Sequence, residues 1–91
     1  MVKADTSLNE ITKLDHKKND LIGEIQKEGF KEGKKIRRLI ALISAIAERS
    51  EGADMPLSAI SAWREAGLYA EKIQDYSLAK KFYKNAREEY L

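Results

Sequence analysis

The residues best suited to recognising a partner are the four tyrosines and the single tryptophan of this chain. Tyr69, Tyr76, Tyr83 and Tyr90 follow one another at steps of seven, and Trp63 precedes them. Such side chains combine a large apolar ring with a polar tip, and they are enriched where proteins contact each other. We therefore predict that these five aromatic residues line a groove that binds a partner's peptide or helix.

A second candidate is a run of cations, which we call the basic segment: Lys31, Lys34, Lys35, Arg37 and Arg38. Clustered lysine and arginine bind phosphate groups, so a nucleic acid or another polyanion is the alternative partner. On a helix, however, these side chains point in different directions, and Glu28 and Glu32 lie among them. The net charge of the chain is only +2. We therefore favour a solvated helix start over a phosphate site.

Lys80, Lys84 and Arg87 form a second set of cations, which we call the basic stripe. Steps of four and three place them on one outer face of a helix. Cations near a helix C-terminus interact favourably with the helix dipole, so position alone accounts for Lys84 and Arg87. Glu88 and Glu89 follow directly, and we expect them to weaken the positive charge of the stripe.

No arrangement of residues indicates catalysis. The chain lacks cysteine, and its only histidine, His16, lies among charged residues on the polar side of a helix. No two carboxylates share an apolar run, as a general acid and base would require. The sequence also lacks a phosphate loop, a serine elbow and a metal-ligand spacing. We predict a non-enzymatic protein with no catalytic residue, no metal site and no cofactor.

The composition is that of one small helical domain, residues 1–91. Hydrophobic residues make up 43% and charged residues 35% of the 91 positions. The longest apolar run, residues 39–47, is much shorter than the ~20 residues of a membrane helix, so it predicts a buried core helix. Because Met1 is not followed by an apolar run and cysteine is absent, we expect a cytoplasmic protein without a signal peptide or a membrane span.

Hydrophobic spacing predicts no strand and four helices, at about 7–28, 31–49, 56–73 and 77–90, with disorder over residues 1–6. Ser7 and Glu10 have the spacing of a capping box that would begin the first helix. Gly29 is predicted to be left-handed just after that helix, which would place Phe30 against Ile25.

The second helix is apolar on more than one face, with Leu39 and Ile43 at its centre. A helix of this kind is buried on several sides, so we expect it to form the middle of the fold. Gly52 is predicted to end this helix, Asp54 to cap the next one and Pro56 to occupy its first turn.

Between the third and fourth helices, Asp75 and Ser77 are both good N-cap residues. The seven-residue spacing of the tyrosines would also fit one unbroken helix with a tyrosine seam. The two capping residues lead us to predict a break instead.

Residues about 57–90 alternate small and aromatic side chains at the steps that a tight helical hairpin needs. The pattern resembles one tetratricopeptide unit, a helix–turn–helix of about 34 residues. It is also similar to the first two helices of microtubule-interacting-and-trafficking domains. The residues that carry the resemblance are Trp63, Gly67, Tyr76, Ala79, Tyr83 and Ala86. The sequence departs from the repeat at Gln74, where glycine is common, and at Ala70, where an aromatic is common.

The resemblance implies an antiparallel hairpin whose groove binds peptide segments or helices. We therefore predict an all-α fold, a small four-helix bundle ending in such a hairpin, that acts as a protein–protein interaction module or adaptor. Because the chain ends close to the hairpin, residues 1–50 are expected to cover only one side of it. The other side would receive a partner helix or, in a homodimer, a second copy of the chain. The alternative is that the spacing serves packing alone.

Overall fold

Within the described residues the chain forms four α-helices. The computed structural model describes the backbone of residues 2–29 and 33–89, and the side chains of those residues from 9 onward. The helices are α1 (Val2–Glu28), α2 (Gly33–Gly52), α3 (Pro56–Lys72) and α4 (Tyr76–Glu88). No strand occurs in these ranges. The predicted all-α, four-helix fold is confirmed.

The first helix begins earlier than predicted. Residues 2–6 belong to α1, whereas the sequence predicted that the helix begins at residue 7. Neither glycine nor proline precedes Ser7, so a helix once nucleated extends through this segment at little cost. Glu10 is not the partner in a capping box, because its Oε2 lies 2.9 Å from Nε of Arg49 in an ion pair with α2.

The C-terminal ends of α1, α2 and α3 are each followed by a left-handed residue, whereas Glu89 after α4 is right-handed. Gly29, Asp54 and Gln74 have φ values of 72°, 58° and 60°. A left-handed residue directly after a helix lets the next backbone groups turn back and bond the last carbonyls. The prediction for Gly29 is therefore confirmed. The predicted contact between Phe30 and Ile25 lies outside the described residues.

The break between α2 and α3 differs in detail from the prediction. Gly52 is the last helical residue rather than a left-handed one, and α2 extends beyond its predicted end at 49. Asp54 takes the left-handed position, so the residue capping α3 is Met55, which makes no side-chain capping hydrogen bond. The Met55 N–H donates to the Ser50 carbonyl at 2.8 Å, which closes the turn. Pro56 occupies the first turn of α3 as predicted.

The break between α3 and α4 excludes the unbroken helix. Asp75 Oδ1 accepts a hydrogen bond from the Leu78 N–H at 3.2 Å, so Asp75 caps α4. The Asp75 N–H donates in turn to the Ala70 carbonyl at 2.9 Å. This pairing reverses the chain direction and is consistent with the predicted antiparallel hairpin. Ser77 lies inside the helix and is not the cap.

Each helix packs mainly on its neighbours in sequence, α1 on α2, α2 on α3 and α3 on α4. Leu39 and Ile43 are fully buried, which confirms that α2 is covered on more than one side. The resulting body measures 43 × 28 × 14 Å. Since α4 packs on α3 alone, one side of α4 is left uncovered by the described residues.

Candidate functional site

The uncovered side of α4 carries a groove. α4 buries Ala79, Phe82 and Ala86, which recur at steps of three and four. The adjoining face of the helix carries tyrosines and cations instead. It borders a depression of about 410 Å³, which we call the tyrosine groove. The lining residues are Glu71, Tyr76, Ala79, Lys80, Tyr83, Lys84 and Arg87.

Tyr83 is the fixed wall of the tyrosine groove. Its ring lies directly on the backbone of Gly67, where a Cβ atom would stand only 2.5 Å from Tyr83 Cε1. Its hydroxyl donates a hydrogen bond to Glu71 Oε1 at 2.6 Å. Burial, the hydrogen bond to Glu71 and the charge of that carboxylate raise the pKa of Tyr83 to about 12. The phenol is therefore held at both its ring and its tip.

Tyr76 is the accessible ring of the tyrosine groove. It is the first residue of α4 and is 65% exposed. Ala79, one turn further on, is buried and forms a small floor between the two tyrosines. Because the side chain of Ala79 is only a methyl group, the space between Tyr76 and Tyr83 can accept an aromatic ring of a partner.

The basic stripe forms one edge of the tyrosine groove. Lys80, Lys84 and Arg87 are exposed, and none of them makes an ion pair within residues 9–29 and 33–89. Burial, the nearby charge of Glu51 and a hydrogen bond with its carboxylate raise the pKa of Glu89. Glu89 therefore lies close to Glu51, near the end of α2. The expectation that Glu88 and Glu89 weaken the charge of the stripe stays a prediction.

Two of the five predicted groove aromatics do not line the tyrosine groove. Trp63 is a core residue, 5% exposed, and its ring stacks on Phe82 with centroids 5.6 Å apart. Its Nε1–H donates to Glu51 Oε2 at 3.2 Å. Tyr69 is half-buried beside Lys18 and Glu65. Its pKa is raised, because burial and the Glu65 charge outweigh the opposite effect of the Lys18 charge. Both side chains project from other faces of α3. Tyr90 lies outside the described residues.

The described members of the basic segment do not form a single cationic surface. Lys35 pairs with Glu28, and Arg37 Nη1 lies 3.6 Å from Asp75 Oδ2. Arg38 is exposed but borders a depression that it shares with Asp20 and Glu24. Lys34 is exposed. The remaining member, Lys31, lies outside the described residues.

The sequence did not indicate a second apolar surface, because its leucines follow the same helical period as the core. Leu57 and Leu68 of α3 are 79% and 56% exposed. They border a depression of about 450 Å³ together with Arg64 and Glu65. A periodicity of three and four residues marks an apolar stripe but does not show whether another helix covers it.

The junction of α1, α2 and α3 holds a smaller polar depression of about 260 Å³. Lys18 Nζ lies 3.3 Å from Asp15 Oδ1 and 3.2 Å from Glu65 Oε1. Burial alone would lower the pKa of Lys18, but the charge of Glu65 and the hydrogen bonds to both carboxylates raise it overall. Ser50 is buried at the same junction, and its Oγ has no hydrogen-bond partner among the described residues. The Lys18–Glu65 ion pair joins α1 to α3.

In the part of the chain that the structure describes, no group of three or more histidine, aspartate or glutamate side chains is placed to hold a metal ion. None of the described helices is long and apolar enough to cross a membrane. Comparison with known proteins adds no relationship: no protein-family model matches the chain, and no curated protein or solved structure matches it.

Proposed function

We propose that this protein is a non-enzymatic interaction module that binds a helical segment of a partner protein in the tyrosine groove. The observation that carries the proposal is the pairing of an exposed ring, Tyr76, with an anchored one, Tyr83, on an uncovered helix face. Apolar area removed from water contributes about 25 cal/mol per Å², and tyrosine supplies that area with few rotatable bonds.

The anchoring of Tyr83 favours binding for an entropic reason. Ordering a mobile side chain at an interface costs about 0.5–1.5 kcal/mol. Tyr83 is already ordered by Gly67 and Glu71, so that cost is absent for this ring. The open shape of the groove suits a partner helix, which presents its own ridge of side chains to a groove between helices. The resemblance to tetratricopeptide and microtubule-interacting-and-trafficking hairpins supports the same reading.

The polyanion alternative has less support. Lys35 and Arg37 of the basic segment are paired with carboxylates, and Arg38 is close to two more. A phosphate would have to compete with these pairs. We therefore place the binding site on α4 rather than at the start of α2.

The experiment is a selection of amphipathic helices displayed on phage against the immobilised protein, followed by affinity measurements on the selected peptides. Tyr76→Ala should weaken binding by about tenfold or more, as expected for a central aromatic at an interface. Leu57→Ala is the matched control, because Leu57 is also exposed but borders another depression. Recovery of no binding helix, or equal binding by the Tyr76→Ala variant, would overturn the proposal.

A further inference from the structure

We propose that the helix received by the tyrosine groove is acidic along the edge that meets the basic stripe. The inference rests on the proposed function, because it assigns the chemistry of the partner at the same site. The stripe residues recur at steps of four and three along α4, so they form one continuous edge rather than a scattered set. A partner helix lying along α4 therefore meets positive charge on one side and tyrosine on the other.

The three cations of the basic stripe are exposed to solvent. Within the described residues none of the three cations is neutralised by an ion pair. Glu71, the carboxylate that lines the groove, accepts the hydrogen bond from Tyr83. Glu89 is not among the residues that line the groove. A groove with three cations on its lining and one carboxylate is complementary to glutamate or aspartate on the partner.

The same charges argue against a second copy of the chain as the occupant. A two-fold dimer uses the same patch on both copies, so an interface centred on α4 would place the basic stripe of one copy opposite the basic stripe of the other. Like charges held opposite each other across an interface are unfavourable. A different, acidic chain avoids this repulsion.

A nucleic acid is also a poorer match. Single-stranded nucleic acids stack their bases on exposed aromatic faces. One face of Tyr83 is covered by Gly67, and its hydroxyl is bound to Glu71. Tyr76 is then the one exposed ring among the lining residues, which is not a platform for successive bases.

The test uses a phage library of amphipathic helices with leucine fixed on one face and glutamate, glutamine or lysine allowed at the flanking positions. Selection on the protein should enrich glutamate, and the selected peptide should bind about tenfold more tightly than its glutamine counterpart, since three exposed ion pairs are gained. The double variant Lys84→Glu with Arg87→Glu should instead enrich lysine. The matched control, Lys34→Glu with Arg38→Glu, makes the same charge change in the basic segment and should still enrich glutamate. If the double variant melts early, Lys84→Gln alone replaces it, with a smaller loss expected.

The outcomes separate the two proposals. Binding helices with no preference among the three residues would overturn the acidic partner and leave the proposed function standing. Absence of any binding helix would overturn both. Lysine enriched on the unaltered protein would overturn the inference directly. Displacement of the selected peptide by a single-stranded oligonucleotide, with affinity falling steeply as salt rises, would point to a polyanion ligand and overturn both.

Discussion

The two halves of the molecule contribute different side chains to one core. The α1–α2 half buries long aliphatic side chains, among them Ile25, Ile36, Leu39 and Ile43. The α3–α4 half buries mostly alanines, at positions 59, 62, 66, 70, 79 and 86, with Trp63 stacked on Phe82. Small side chains let two helix backbones approach, whereas long ones hold them apart and fill the space between.

Some cations of the first half are held in ion pairs, whereas, within the described residues, the three that line the tyrosine groove are not. In the first half Lys35 is paired with Glu28, and Arg49 is paired with Glu10. In the second half the basic stripe makes no ion pair among the described residues and borders the tyrosine groove. α1 and α2 therefore contribute most of the long aliphatic core, and α4 carries the surface on which we propose that the partner binds.

The largest expected effect is in the aliphatic half. Leu39→Ala should lower the free energy of unfolding by about 2–5 kcal/mol, because it removes a fully buried side chain and leaves a cavity. Urea unfolding followed by circular dichroism measures the change. Leu57→Ala serves as the control and should stay within about 0.5 kcal/mol, since Leu57 is 79% exposed. Equal effects of the two substitutions would contradict the placement of the core.

A pair of glycines sharpens the comparison, because the same substitution should have opposite signs in the two halves. A Cβ at Gly67 would collide with the Tyr83 ring, whereas a Cβ at Gly23 of α1 meets nothing within 4 Å. Gly67→Ala should destabilise by up to about 2 kcal/mol through overpacking, after allowing for the gain in helix propensity. Gly23→Ala should stabilise by about 0.5–1 kcal/mol. Thermal and urea unfolding of both variants provide the measurement.

The Gly67→Ala and Gly23→Ala substitutions also test whether the Tyr83 ring is held tightly against Gly67. If Gly67→Ala stabilised the protein as Gly23→Ala does, Tyr83 would be able to move aside freely. The ring would then not be an anchored wall of the tyrosine groove, and the argument from its prior ordering would lose its basis.

The sequence predicted the helices better than the surfaces. Gly29, Pro56 and Asp75 act through local backbone chemistry, so their roles could be inferred from residue type and position. Trp63 was wrongly expected in the groove, because spacing shows that a residue shares a face but not which helix covers that face. The groove beside the basic stripe could not be predicted either, because it depends on how α4 packs against α3.

The left-handed residues offer a smaller test of the breaks between helices. Gln74 has φ 60°, a conformation that costs a residue with a Cβ about 1–2 kcal/mol and costs glycine little. Gln74→Gly should therefore stabilise the α3–α4 hairpin by about 0.5–1 kcal/mol, after the greater flexibility of glycine in the unfolded chain is subtracted. Asp54→Gly should gain less, because aspartate tolerates the left-handed region better than glutamine. A loss of stability in the Gln74→Gly variant would indicate that the glutamine side chain itself holds the turn.

The smallest effect concerns the proton of Tyr83. Its pKa is raised to about 12, so the folded protein holds this proton more tightly than the unfolded chain does. The stability that the folded state gains by binding this proton more tightly is therefore fully present below about pH 10. It is lost as the pH rises through about 12. Tyr83→Phe removes the titrating hydroxyl group. The loss of stability between about pH 9 and about pH 11.5 should therefore be shallower in this variant than in the unaltered protein. Tyr69 and Lys18, whose pKa values are also raised, titrate in both proteins, so the difference between the two curves isolates Tyr83. Identical pH dependence would mean that the hydrogen bond to Glu71 does not hold the ring, and the α3–α4 half would then present a mobile tyrosine where we infer a fixed one.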